Sequence, residues 1–162
     1  MRKKTPPQKP GCPVPVPSYR VVADCRALND QTIETNFRLP LISETFDRVS
    51  ATKPSYYTGL DLRSGFTQLS LDKASQLKTA FTDLKTGIQY CFKRTLQGLR
   101  GAPMSFHRVA VRIFKPLLVK GNCQVYLDDI LLYNQTFKKH IETLEEALSV
   151  IEKSGMLMNV EK

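Results

Sequence analysis

The feature that most constrains this chain is the run Val125-Tyr126-Leu127-Asp128-Asp129-Ile130-Leu131-Leu132-Tyr133, an apolar, strand-forming stretch broken by two adjacent carboxylates. The pattern predicts strand, turn, strand, with the acidic pair at the turn. Burying two neighbouring carboxylates between such strands is costly unless they stand in a turn or hold a cation. A two-residue hairpin turn favours Asn-Gly or Asp-Gly, because both positions need positive φ. Asp-Asp is a poor choice on conformation alone, which points to a metal role. A solvated turn explains these two residues equally well.

Asp61 separates the two readings. It ends a predicted strand, Tyr56-Tyr57-Thr58-Gly59-Leu60-Asp61, and precedes Leu62-Arg63-Ser64-Gly65-Phe66. If that strand lies beside the hairpin, three carboxylates converge at one end of a sheet. Such a set can hold two Mg²⁺ ions about 3.5–4 Å apart for nucleotidyl transfer. Magnesium prefers a few carboxylates completed by phosphate oxygens and water, so histidine and cysteine ligands are not needed.

The rest of the pattern predicts an α+β fold, an antiparallel sheet covered by helices on one face. Residues 1–18 are a proline-rich leader, with six of the ten prolines in the first 17 positions, expected to be extended or disordered. Strand character begins at Tyr19 to Asp24. A helix is predicted over Leu41 to Val49, and alternating residues predict a strand over Phe66 to Leu71. Short strands follow at Thr79 to Thr82 and Gln89 to Phe92, with a turn at Thr86-Gly87. Pro103 opens a helix carrying Phe106, Val109, Ala110, Ile113, Phe114 and Leu117. A second amphipathic helix runs from Phe137 to Ser154 and stops at Gly155, before a last strand from Met156 to Val160. His107 and His140 fall on helices with no partner at ligand spacing and are read as non-catalytic.

Composition narrows the partners. The balance of 24 Lys+Arg against 15 Asp+Glu leaves +9, a surplus that suits a polyanion through counterion release. Lys93, Arg94 and Arg100 are the better candidates for phosphate contact; Lys138 and Lys139 read as a solvated helix face. The four cysteines, Cys12, Cys25, Cys91 and Cys123, show no zinc spacing. They read as reduced thiols of a cytoplasmic or nuclear protein. No apolar run approaches the roughly 20 residues of a membrane span, and the basic start has no hydrophobic stretch behind it.

Several motifs, in order, resemble those of reverse transcriptases. Tyr126-Leu127-Asp128-Asp129 resembles their Tyr-x-Asp-Asp signature, and Asp61-Leu62-Arg63-Ser64-Gly65-Phe66-Thr67-Gln68 resembles their first catalytic motif in the form used by gypsy-type long-terminal-repeat retrotransposons. Arg20 to Asn29 resembles the fingers segment. Lys78-Thr79-Ala80-Phe81 and Gln97 to Phe106 resemble palm motifs, and Gly155 to Lys162 resembles the last one. The resemblance runs from about Tyr19 to the end. It implies a fingers/palm core at 19–162: an antiparallel palm sheet with a partial fingers subdomain. The implied activity is RNA-directed DNA polymerisation, with dNTP added to a primer on an RNA or DNA template by two Mg²⁺ ions, for which Mn²⁺ can substitute.

Roles follow position by position from that resemblance. Asp61, Asp128 and Asp129 would be the catalytic metal carboxylates, with the Leu62 carbonyl as a further metal ligand and Asp129 the least direct of the acids. Phe66 matches the aromatic gate beneath the sugar, Arg20 the arginine on the triphosphate, and Gln97 the residue touching the nucleotide's sugar. Tyr126 and Leu127 would sit beside the primer end, and Lys162 matches a proposed general acid for pyrophosphate. Asp24, Arg26 and Asn29 match structural positions. The basic turn that the family places before the Arg20 counterpart has no match, since Pro13 to Ser18 leads straight into Tyr19. The family's thumb and ribonuclease H are likewise not matched, so weak or no activity is expected of this stretch alone. The alternative is a non-catalytic nucleic-acid-binding remnant of a retroelement. An RNA-recognition module is disfavoured by the lack of its aromatic-rich strand.

Overall fold

The computed structural model describes residues 23–33, 39 and 41–159. Its centre is an antiparallel sheet in the order β1 (Tyr56–Asp61), β5 (Asp129–Asn134), β4 (Cys123–Tyr126). β4 and β5 form the hairpin expected from the opening motif. The turn, however, is Leu127-Asp128, because Tyr126 pairs with Asp129. Asp129 therefore belongs to β5, one position further into the ladder than the sequence pattern indicated. The whole of β1 pairs with β5, from Tyr56 opposite Asn134 to Asp61 opposite Asp129.

Alternation assigns the two faces. Thr58, Leu60, Cys123, Val125, Ile130 and Leu132 share one face, where all but Thr58 are buried. Helices α4 (Ala102–Ile113), α5 (Lys115–Lys120) and α6 (Phe137–Ser154) cover it. Phe106, Ala110, Phe114 and Leu117 recur at helical spacing through α4 and α5, while Ala147 and Ile151 do so on α6. Each large apolar side chain buried there contributes about 1.5–3 kcal/mol. Pro103 sits in the first turn of α4, where its missing N–H costs nothing. Thr136 caps α6, and Gly155 ends it in the left-handed conformation (φ 69°). This is the α+β arrangement expected from the pattern: an antiparallel sheet covered by helices on one face.

Helix α2 (Ile42–Ala51) and the hairpin of β2 (Phe81–Thr82) and β3 (Gln89–Tyr90) also follow the expected order. Two helices escaped the pattern. α1 (Arg26–Asp30) and α3 (Lys73–Lys78) have no buried residue, so neither leaves an apolar stripe to read. The strand expected at Phe66 to Leu71 is instead a 3-10 helix, Gly65–Gln68, followed by a single bridge from Ser70 to Arg94. Ser64 turns the chain through the left-handed region (φ 50°), and the Phe66 ring settles edge-on against Phe106. Tertiary packing overrides the alternation there. The strand expected at Met156 to Val160 shrinks to one bridge, Leu62 to Met158. Tyr19 to Val22, the leader at 1–18 and Val160 lie outside the described residues; Ala23 and Asp24 are not in a strand.

Burial separates the described thiols. Cys25 and Cys123 are buried and Cys91 is exposed. Desolvation pushes the Cys123 thiol up to about 12. Alkylation of the folded chain at pH 8, mapped by peptide, is expected to label Cys91 and spare Cys25 and Cys123 until denaturant is added. Because the folded-state value of Cys123 is raised, its contribution to stability is complete below the ordinary value of 9.0 and declines as pH rises toward 12.

Candidate active site

The register builds the site. Directly opposed residues of an antiparallel pair share a face, with Cα atoms about 4.5–5.5 Å apart. Asp61 and Asp129 are such a pair. They lie on the face opposite the helix-covered core, and Tyr126 lies on the other side of Asp129. Asp61, Tyr126 and Asp129 all line one cleft of about 800 Å³, whose apolar wall includes Phe46, Leu131, Leu148 and Met158.

Asp128 stands in the turn, one residue before Asp129. Its Cβ is packed close to Gly65: a Cβ built on Gly65 would come within 3.2 Å of it and 2.8 Å from the Phe106 ring. The missing side chain at Gly65 is thus what lets the segment after Asp61 approach the acidic turn. Leu127, the other turn residue, is held at φ 55°. That conformation costs a non-glycine residue roughly 1–2 kcal/mol. Its N–H donates to Nδ1 of His107 at 3.2 Å. His107 is buried, which lowers its pKa and favours the neutral ring able to accept that bond.

Asp61 is held from its other side. The Asn159 N–H donates to the Asp61 carbonyl at 2.8 Å, and Asn159 Nδ2 donates to Asp61 Oδ2 at 3.2 Å. Gln68 fastens the same C-terminal segment, donating to the Leu157 carbonyl and accepting from the Leu157 N–H. Leu62, the expected carbonyl ligand, has a buried side chain and bridges to Met158.

The donor chemistry fits a hard divalent cation. Among the described residues, neither Asp128 nor Asp129 has a hydrogen-bond or ion-pair partner for its carboxylate. Two like charges directly opposed across a ladder, as Asp61 and Asp129 are, destabilise it unless a cation intervenes. As the side chains stand, no group of three or more His, Cys, Asp or Glu among the described residues could hold a metal ion, and Asp128 does not line the cleft of the other two acids. Asp61 and Asp129 supply only oxygen donors, the ligand type that Mg²⁺ takes together with phosphate and water.

The remaining candidates divide. Phe66, half-buried, packs against Phe106 with ring centroids 5.7 Å apart at 85°. Gln97 lies in an exposed turn beside Gly98, whose φ is 105°, and does not line the cleft of the two acids. Asn29 holds that turn, donating to the Gly98 carbonyl at 2.7 Å and accepting from the Arg100 N–H at 2.8 Å. Asp24 and Arg26 form an ion pair at 2.6 Å, and the guanidinium holds the Asp24 carboxyl down at about 2. Of the three, Asn29 ties two distant segments together, while the Asp24–Arg26 pair is local and exposed. Arg94 donates to the Gln68 carbonyl at 2.7 Å and lines a separate depression with Arg63. Lys93, Lys138 and Lys139 are exposed. Arg20 and Lys162 lie outside the described residues. Sequence reasoning missed His107, Gly65, Asn159 and Gln68. The first acts across 20 positions, the last two link segments some 90–100 positions apart, and nothing in local spacing marks them.

Comparison with known proteins identifies the family. The family model described as "Reverse transcriptase (RNA-dependent DNA polymerase)" matches residues 2–162. The Pol polyprotein of the Drosophila melanogaster transposon 297 is 35% identical over 89% of this chain, and that of transposon gypsy 30% over 90%. The crystal structure of the prototype foamy virus protease-reverse transcriptase superposes with a TM-score of 0.76 at 31% identity over 93% of this chain. A foamy viral protease-reverse transcriptase in complex with an RNA/DNA hybrid gives 0.75 at 29% over the same share. The chain belongs to the reverse transcriptase family, in its gypsy-type retrotransposon branch. It spans 13% and 14% of those two polyproteins, and 19% and 20% of the two foamy viral chains.

The close approach at Gly65 yields a direct expectation. Gly65→Ala should lower stability by about 1–3 kcal/mol, seen as a lower urea midpoint with an unchanged slope. A midpoint equal to that of the wild type would mean that Phe106 and the turn can yield.

Proposed function

We propose that this chain is the polymerase core of an RNA-directed DNA polymerase, joining dNTP to a primer 3′-hydroxyl on an RNA or DNA template. The observation that carries the reading is the register that sets Asp61 directly opposite Asp129, with Asp128 one residue earlier in the turn. Asp61, Asp128 and Asp129 would hold the metal, with the Leu62 carbonyl beside them. Two Mg²⁺ ions, when bound, would lower the pKa of the primer hydroxyl and neutralise charge on the triphosphate and its leaving group.

The chain's own residues would do the positioning. The primer oxygen forms a bond to the α-phosphorus as the bond to pyrophosphate breaks. Tyr126 and Leu127 would support the primer end from the hairpin. Phe66, braced by Phe106, would lie beneath the sugar and exclude a 2′-hydroxyl; Gln97 would contact that sugar. Arg20 would grip the triphosphate, and Lys162 would return a proton to the departing pyrophosphate. The surplus of basic residues, +9 overall, suits a polyanionic template and primer. The foamy viral relative described in complex with an RNA/DNA hybrid supports the same class of partner.

Divalent cations should stabilise the wild-type chain and leave Asp61→Asn unmoved. At a hundred times the dissociation constant the gain is about 2.7 kcal/mol, readable as a thermal shift with Mg²⁺ or Mn²⁺. Equal shifts in both proteins would remove the metal site from this reading.

Affinity for template and primer is spread over many phosphate contacts, and this stretch spans 13% of the transposon 297 polyprotein. Primer extension by the purified chain is therefore expected to be weak or absent. Processive extension that is lost on Asp128→Ala would show that the stretch suffices by itself.

A further inference from the structure

His107 is a buried histidine that the chemistry above does not use. It lies on α4 immediately after Phe106, and its Nδ1 stands 3.2 Å from the N–H of Leu127. Leu127 is no ordinary donor of such a bond. It is the first residue of the two-residue turn, it occupies the left-handed region, and Asp128 follows it directly. Glycine or asparagine would take that conformation at little cost; leucine does not. Some outside contact must therefore over-determine the turn, and the bond to His107 is such a contact, made from the rigid body of a core helix.

Resting on the proposed metal-dependent reading, we propose that His107 is the positioning residue of the acidic turn: by accepting the Leu127 N–H on Nδ1, it fixes the backbone from which the Asp128 carboxylate projects. The ring must be neutral with its proton on Nε2, because a protonated Nδ1 cannot accept. Burial favours the neutral form. The role itself requires an acceptor at the depth of Nδ1, whatever else the ring contacts. Asparagine places its Oδ1 at that depth, whereas leucine fills similar space without an acceptor.

That difference separates positioning from mere packing. A packing role ranks His107→Leu above His107→Asn, since leucine is the better helix former and suits an apolar site. A positioning role reverses the order at the turn. In the full 162-residue chain, His107→Leu should speed exchange of the Leu127 amide and weaken Mn²⁺ binding, each by about tenfold or more. His107→Asn should stay within about threefold of wild type in both measurements. The wild-type chain supplies a check that no folding defect can spoil: ¹⁵N shifts of the His107 ring should report Nδ1 unprotonated.

A proton on Nδ1 would overturn the proposal, as would a folded His107→Asn protein that behaves like His107→Leu. Equal Mn²⁺ binding by wild type and His107→Leu would overturn the role of His107 and leave the metal reading standing. Absence of Mn²⁺ binding in every form, wild type included, would overturn the metal reading and this role together.

Discussion

The pairing of β1 with β5 is the constraint from which everything at the site follows. Side chains alternate along a strand with a period of two, so a slip of one residue would send Asp61 into the face that holds Leu60, Ile130 and Leu132. Hydrophobic burial opposes that slip. So does a polar network at the far end of the same two strands. Thr58 Oγ1 meets His140 Nε2 at 2.7 Å, and His140 Nδ1 meets Asn134 Oδ1 at 2.9 Å. Asn134 in turn donates to Thr143 Oγ1 at 3.0 Å. One histidine from α6 thus touches both strands of the pair, and apolar contact alone could not enforce that geometry. Buried polar groups of this kind are costly when half satisfied, so they favour one register over its neighbours.

The site end of the sheet is arranged against its own stability. Asp61 and Asp129 oppose each other as like charges, and Leu127 and Ser64, one in each acidic segment, both take left-handed conformations. Local cost gathered at one place and supported by a dense core elsewhere is the usual relation of a functional site to its fold. The core supplies the surplus: Phe106, Phe114 and Leu117 are fully buried and belong to one cluster with the inner face of the sheet.

What could be read from the sequence was whatever repeats at a fixed period or sits at a fixed offset. β1 and α6 fall at their expected bounds: strand-forming residues lead into Asp61 in the first, and Ile141, Leu144, Leu148 and Ile151 mark one face of the second. The acidic hairpin was legible, yet its turn was displaced by one residue, since the apolar run on either side set the turn at the two acids and the structure uses a strained leucine as its first residue instead. Phe66 to Leu71 alternates as a strand should and is not one: Ser64 turns the chain through the left-handed region and Phe66 packs against Phe106. Both histidines were read as non-catalytic, with no partner at ligand spacing, and that reading says nothing of their hydrogen bonds. Each is in fact hydrogen-bonded to a segment of the sheet or its turn, His107 across 20 positions and His140 across 82. Contacts at such separations leave no local trace.

Helix α4 is where those unreadable contacts meet. Adjacent residues of a helix point about 100° apart, so Phe106 and His107 can address two different segments from one rigid body. Phe106 limits how near the segment after Asp61 can come, through Gly65, while His107 holds the turn before Asp129. A shift of α4 would therefore move both acidic segments together and alter their spacing little. A change confined to one of the two contacts would displace the turn with Asp128 or the segment after Asp61 singly. The sheet register fixes Asp61 against Asp129, and two consecutive side chains on the helix packed behind it fix where the turn with Asp128 and the segment after Asp61 stand.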